Sequence, residues 1–484
     1  MSEHRRVIII GAGPGGIAMS YALLEAGMSD FIVLEKADEP GGTWHHNRYP
    51  GAECDVMSHL YSFSFALNPN WSQRYARQPE ILAYMKKVVS DSGISPHVRL
   101  SEVVKALNWD QGRSQWRVRS DKAEYTADIV VSAVGMFNSP AMPQIAGIET
   151  YQGRLIHTAD WPEGDMLDGL RVGVIGSAAS AVQLIPEIAQ TVSHLTIFQR
   201  TPIWVMPKDD RPYTPEDLRT FAEDPQAMSN LRAEIAARVD RSVLFDDPDM
   251  RAIAMEGAER NISVVKDPEV RRKLTPWLPY GSRRPIVSNY YYPTFNRDNV
   301  TLVTEAVVNC EPNGVRTADG TVHELDAVVC ATGFTTSRYA SVIDITGKDG
   351  RRLADDWSGD PSALLGIMVP GYPNFFMMYG PNTNNGSILT MLESQAEFIV
   401  RQMEAMDRGA IAELDVRPEV ARAYNEELQQ RLDEVEVWQA QPDGYYRGKS
   451  GRIVTQWPST MREYDQRLKA VGPEVFNTIA RINA

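Results

Sequence analysis

The chain has 484 residues, too many for a single hydrophobic core, so two to three domains are expected. Its 43% hydrophobic and 23% charged residues are those of an ordinary globular protein, and a formal net charge of −14 would repel a nucleic-acid backbone rather than grip it. No apolar run approaches the roughly 18 residues of a membrane span, and the apolar stretch after Arg5-Arg6 runs directly into glycines, unlike a signal peptide.

In chain order, Val7 to Ile10 reads as a buried strand that breaks into Gly11-Ala12-Gly13-Pro14-Gly15-Gly16 and continues as a helix. A second strand, Phe31 to Leu34, ends at Glu35, 24 residues after Gly11 (35 − 11). A long loop rich in Gly, Pro, Trp and His follows. Asp128 to Gly135 reads as a buried strand, led by an acid, that returns to the first sheet. Pro140 and Pro143 mark a linker.

The same pattern then recurs. Arg171 to Ile175 is a strand, Gly176-Ser177-Ala178-Ala179-Ser180-Ala181 is its turn and helix start, and Leu195 to Phe198 is the next strand. Arg200 lies 24 residues after Gly176 (200 − 176). Residues 212–275 have helical periodicity, many charges, and Asp-Pro breaks at 224–225, 247–248 and 267–268, which reads as a helical insertion. Asn299 to Val303 and Asp326 to Phe334 complete the second sheet. The last 150 residues return to the first unit and end in amphipathic helices, Ser394 to Met406 and Pro418 to Val437. The expected fold is α/β with two Rossmann-like dinucleotide-binding domains. Residues 1–142 form the first part of one, 143–337 form the other with its insertion at about 208–280, and 338–484 complete the first.

The two turns carry the chemistry. Gly11 makes the tight turn, Gly13 lets backbone approach a pyrophosphate, and Gly16 lets helix and strand pack closely, with the helix N-terminus facing the phosphates. Glu35 is placed to accept hydrogen bonds from ribose hydroxyls. In the second turn only Gly176 remains; Ala178 and Ala181 stand at the next two glycine positions, and a methyl at 178 should push the pyrophosphate slightly outward. Arg200 there is suited to a 2′-phosphate, though a lone Arg after a strand also reads as a solvated charge. An acid in one half and a base in the other imply two dinucleotides, FAD first and NADPH second, in an enzyme that moves hydride between them.

The three cysteines, Cys54, Cys310 and Cys330, are far apart with no C-x-x-C pair, which argues against a dithiol flavoprotein and for a reducing cytoplasm. Each reads as a packed thiol.

Two further motifs are more specific. Tyr151-Gln152-Gly153-Arg154-Leu155-Ile156-His157-Thr158-Ala159-Asp160-Trp161 lies between the two nucleotide units, and Gly41-Gly42-Thr43-Trp44 is followed by Tyr49-Pro50-Gly51 and Asp55. Together they resemble the signatures of type I Baeyer–Villiger monooxygenases, whose fingerprint F-x-G-x-x-x-H-x-x-x-W is present with Tyr151 in place of Phe. Trp161 favours this branch over related flavin-containing and N-hydroxylating monooxygenases. The resemblance extends to Asn374-Phe375-Phe376 and Gly380-Pro381-Asn382.

By that resemblance Arg284 is the active-site arginine over the flavin and Asp55 the carboxylate beside it. Arg283, with Arg200 and Thr201, would hold the 2′-phosphate. Gly42, Thr43 and Trp44 would belong to the FAD site, and Ser177 and Ala178 to the NADPH site. From spacing alone, Arg283-Arg284 reads as a surface basic pair and His157 as a packed loop histidine. The family often has Ser-Trp-Tyr late in the chain, its Trp reaching the NADP ribose; here the stretch is Gly444-Tyr445-Tyr446, with Tyr445 in that place.

The implied reaction inserts one oxygen atom of O2 beside a ketone carbonyl through a C4a-peroxyflavin, giving an ester or lactone. The implied partners are a small-molecule ketone and O2, with no metal, no nucleic acid and no membrane span. Oligomeric state is open, a homo-oligomer included. The alternatives are an N- or S-oxygenating flavin-containing monooxygenase and an uncoupled NADPH oxidase.

Overall fold

The computed structural model describes residues 2–164, 167–245, 247–441, 444 and 446–481. The chain begins with β1 (Glu3–Ile10), α1 (Pro14–Glu25) and β2 (Phe31–Leu34). The two strands run parallel in the register Val7↔Phe31 to Ile10↔Leu34. Their paired residues are buried throughout, the pattern of parallel strands covered on both faces.

The stretch read from sequence as a long loop holds more structure than expected. It contains the one-turn helix α2 (Thr43–His46), then α3 (Gln78–Asp91), β3 (Val98–Arg99), β4 (Val104–Asp110) and β5 (Gln115–Ser120). Next comes β6 (Glu124–Ser132), which starts ahead of Asp128 and pairs with β1 in parallel.

The second unit opens with β7 (Arg154–His157), β8 (Arg171–Ile175), α4 (Ala179–Ile188) and β9 (His194–Phe198). After β10 (Val205–Met206) come four helices, α5 (Pro215–Glu223), α6 (Pro225–Ser242), α7 (Pro248–Ile262) and α8 (Pro268–Leu274). The Asp-Pro pairs are where helices start. Asp224, Asp247 and Asp267 are N-caps whose carboxylates accept backbone N–H groups of the first turn, and the proline follows at the first helical position.

The chain returns through β11 (Ile286–Val287), β12 (Val300–Val303), a three-stranded meander of β13 (Val307–Glu311), β14 (Gly314–Thr317) and β15 (Val322–Glu324), and β16 (Ala327–Cys330). The second sheet is parallel throughout, in the order β12-β9-β8-β16-β7.

β17 (Asp344–Thr346) and β18 (Phe375–Met377) then rejoin the first sheet. Its order is β17-β4-β5-β6-β1-β2-β3, with β18 on β6. The two crossings between the sheets lie side by side: the Ala141 N–H donates to the Gly333 carbonyl (2.8 Å) and the Thr335 N–H to the Ser139 carbonyl (2.9 Å). The fold is therefore α/β with two Rossmann-like sheets, each led by a strand, a glycine turn and a helix. Helices Ile388–Arg408 and Pro418–Asp433 follow, the first packed on α1. Among the described residues no helix is long and apolar enough to cross a membrane.

Candidate active site

Both glycine turns open into one cleft of about 1340 Å³. At the first turn Gly11 has φ +104°, and a side chain there would press on the Ala133 carbonyl. Gly13 faces Gly42, itself at φ +56°; a Cβ on Gly42 would sit 2.7 Å from the Gly13 Cα. Two backbones thus touch in the cleft lining. Gly16 does not line the cleft. A methyl there would overlap the Gly11 carbonyl oxygen, so its role is to let α1 lie on β1.

Glu35 is buried, and its carboxylate accepts the N–H groups of Ala12 (2.6 Å) and Ala37 (2.8 Å). It fixes the turn while still lining the cleft. Thr43 and Trp44 line the same end; the Trp44 indole N–H donates to the Tyr61 hydroxyl (2.9 Å).

The second turn repeats the geometry. Gly176 has φ +129°, and a side chain would overlap the Ala331 carbonyl. The Ser177 hydroxyl donates to the Thr201 carbonyl (2.9 Å), tying the turn to the segment after β9. Ala178 is the N-cap of α4, and Ala181, in the first turn of that helix, is fully buried. Neither α1 nor α4 has a side-chain cap, whereas α5 to α8 all do. Uncapped N–H groups facing a cleft are ready donors for a pyrophosphate.

Arg200 and Arg283 line the cleft beside the second turn. Burial, and next the positive charge of Arg200, hold the Arg283 pKa below the usual arginine value. Its guanidinium Nε donates to the neutral Gln441 side chain (2.6 Å). Among the described residues neither arginine forms an ion pair with a carboxylate. Two neighbouring cations without a counter-charge fit a bound phosphate.

Arg284, the next residue, points to Asp55. Its Nε donates to one carboxylate oxygen (3.0 Å) and its Nη2 to the other (2.9 Å), a bidentate pair at the seam between the two units. The cleft thus has a glycine cradle with a buried carboxylate at one end and an arginine pair at the other.

The cleft thus brings together Gly11, Gly13, Glu35, Gly42, Thr43, Trp44, Asp55, Gly176, Ser177, Ala178, Arg200, Thr201, Arg283 and Arg284. Tyr445 lies outside the described residues. His157 ends β7, buried; its Nδ1 accepts the Ala159 N–H (3.1 Å), and burial lowers its pKa. The Tyr151 hydroxyl donates to the Leu325 carbonyl (3.0 Å). Sequence reasoning missed Tyr61, and also Gln183, Gln441 and Lys208, whose partners lie far away along the chain and leave no local pattern. All three cysteines are buried and free.

Residues 8–273 match the family described as pyridine nucleotide-disulphide oxidoreductase. The chain is 38% identical to a Baeyer-Villiger monooxygenase of Streptomyces coelicolor, over 97% of this chain and 92% of that one. A Baeyer-Villiger monooxygenase of Pseudomonas aeruginosa is also 38% identical, over 94% and 88%. Among solved structures, cyclohexanone monooxygenase from Rhodococcus sp. Phi1 bound to NADP+ aligns with a TM-score of 0.90 at 30% identity, covering 99% of this chain and all of that one. A steroid monooxygenase bound to NADP aligns at 0.88 with 28% identity.

Proposed function

We propose the following assignment of residues for a chain that belongs to the Baeyer–Villiger monooxygenases and works with FAD and NADPH. The overall reaction is ketone + O2 + NADPH + H+ giving ester or lactone + NADP+ + water. Bound FAD, reduced by NADPH, supplies the activation of O2. The turn at Gly11 and Gly13, with Glu35 and Gly42 to Trp44, would hold FAD. Gly176 to Ala178, Arg200, Thr201 and Arg283 would hold NADPH, the arginines at its 2′-phosphate.

Arg284 is the catalytic cation. Negative charge passes from the transferred oxygen to the ketone oxygen as the carbonyl carbon becomes tetrahedral, and a fixed guanidinium would stabilise it in both places without reorganising. Asp55 orients it through both carboxylate oxygens. The bidentate pair, set where the two nucleotide units meet, is the observation that carries this reading.

The test is product identification by mass spectrometry. Purified protein with FAD and NADPH under ¹⁸O2 is given cyclohexanone, acetophenone, 2-decanone and progesterone, with a thioether and an amine. Esters or lactones carrying one ¹⁸O atom are expected. Oxygenation confined to the thioether and amine would point to a soft-nucleophile oxygenase, and hydrogen peroxide alone to an oxidase.

A further inference from the structure

From Tyr49 to Asp55, alternate residues face the second nucleotide unit. The Tyr49 hydroxyl donates to the Gln183 side-chain carbonyl on α4 (2.7 Å). Gly51, at φ +78°, packs on the Gln183 backbone carbonyl, where any side chain would overlap it. The Gln183 amide donates to the Glu53 backbone carbonyl (3.0 Å), and the Glu53 carboxylate meets Lys208 Nζ at 2.7 Å. Asp55 then holds Arg284. Two carboxylates two residues apart on one segment thus face two cations.

Both cations ride on one small structure. β10 and β11 pair in parallel with Val205 beside Ile286 and Met206 beside Val287. Arg284 stands two residues before β11 and Lys208 two residues after β10. The Lys208 backbone is stapled across this ladder: its N–H donates to the Asn289 side chain (2.8 Å) and its carbonyl accepts from the Asn289 amide (2.7 Å).

The two ion pairs differ in exposure. The Lys208 and Glu53 side chains are 3% and 16% exposed, against 40% and 26% for Arg284 and Asp55. Asp210 at 3.7 Å and the Tyr75 ring face at 4.6 Å enclose the ammonium group further. An exposed pair holds its geometry weakly, whereas a buried pair cannot open without stranding a charge in a poorly polarisable interior.

We propose that the Glu53–Lys208 pair is a positioning clasp that fixes the Asp55 segment against the β10–β11 unit and so holds Arg284 in its working place. The proposal rests on the reading of Arg284 given above. Lys208 and Glu53 are positioning residues, acting through Arg284.

The test uses FAD-loaded protein and the panel ketone turned over fastest, with melting temperature and ester formed per NADPH consumed as readouts. The variants are Lys208→Met, Lys208→Arg, the neutral double variant Glu53→Gln/Lys208→Met, and Arg284→Ala as reference. Lys208→Met should lower both readouts, because it strands Glu53. The double variant removes both partners of the clasp and leaves only Asp210, which still accepts the Tyr75 N–H (3.2 Å); it should melt within about 3 °C of wild type yet form about tenfold less ester per NADPH, since small misplacements at a reacting centre are costly. Lys208→Arg should restore both. A double variant that couples as well as wild type would overturn the clasp and leave the pair a purely structural one. Ester formation by Arg284→Ala at the wild-type rate would instead remove the reading of Arg284, and the clasp with it.

Discussion

Asp55 grips Arg284 with both carboxylate oxygens, at 3.0 and 2.9 Å, from the opposite side of the seam between the two nucleotide units. The chain places these residues 229 positions apart, so their meeting depends on both units folding and docking. Replacing Arg284 by Ala removes the cation and leaves both glycine cradles untouched. FAD content after purification should stay at wild-type level. Ester or lactone formation should fall by about 100-fold or more, while NADPH is still consumed and its electrons appear as hydrogen peroxide. Ester formation at the wild-type rate would take Arg284 out of the mechanism.

In the proposed assignment Arg200 and Arg283 hold the 2′-phosphate and so set the choice of nicotinamide coenzyme. Charge-assisted hydrogen bonds to a phosphate contribute roughly 1.5–3 kcal/mol each. Arg200→Ala should therefore raise KM for NADPH by about 10- to 100-fold and leave KM for NADH nearly unchanged, because NADH has no 2′-phosphate. Initial-rate kinetics with the two coenzymes measures this directly. Equal losses for both would mean that Arg200 supports the turn rather than the phosphate.

The parts of this architecture legible in the sequence are those whose physics is local. A buried strand, a glycine with positive φ and an uncapped helix follow one another within about ten residues, so both turns could be placed, and Glu35 and Arg200 follow from strand length alone. The misses have physical causes too. β4 and β5 form an antiparallel hairpin with one wet face; their alternation and the Asp110-Gln111-Gly112 turn between them are a local hairpin signal that the loop reading passes over. The Asp-Pro pairs at 224–225, 247–248 and 267–268 do separate helices, and the structure adds that each also starts the next one, with the aspartate capping and the proline at the first helical position. Gln183, Gln441 and Lys208 meet partners more than 120 residues away. Arg284 and Asp55 are legible only through family resemblance, since nothing in their neighbours announces an ion pair.

The contact of Gly13 with Gly42 makes a sharp prediction about FAD. Gly42 has φ +56° and ψ −120°, a conformation closed to other residues, and its missing side chain is what lets the two backbones touch. Gly42→Ala must move one of the two segments and so deform the floor of the cleft. The protein should purify with FAD strongly depleted, read as the ratio of flavin to protein absorbance. Gly27→Ala is the control: Gly27 also has positive φ, at +71°, but nothing lies within 4 Å of its would-be Cβ, and FAD content should be unchanged. Full flavin loading of Gly42→Ala would show that the cradle tolerates a methyl.

Stability should fall on mild acidification, and His59 is a principal cause. It is 1% exposed, packed between the rings of Tyr213 and Phe221 where α5 meets the segment after Asp55, and burial lowers its pKa to about 4. The unfolded chain holds the same group near about 6.5, so protons favour unfolding in the window between the two values. The stabilisation from a neutral His59 is complete above pH 6.5 and is lost as pH falls toward 4. A shift of this size corresponds to about 3 kcal/mol at most. His46, also lowered to about 4, first by its own burial and then by the charge of Lys36, acts in the same window. The strongly lowered carboxylates Asp217 and Glu463, at about 2, withdraw their contributions only at lower pH. Melting temperature should therefore drop between pH 7 and pH 5, and His59→Phe, which keeps the ring and removes the titration, should flatten that slope. A slope identical to wild type in His59→Phe would assign the acid sensitivity to the other buried histidines, His46 and His157, instead.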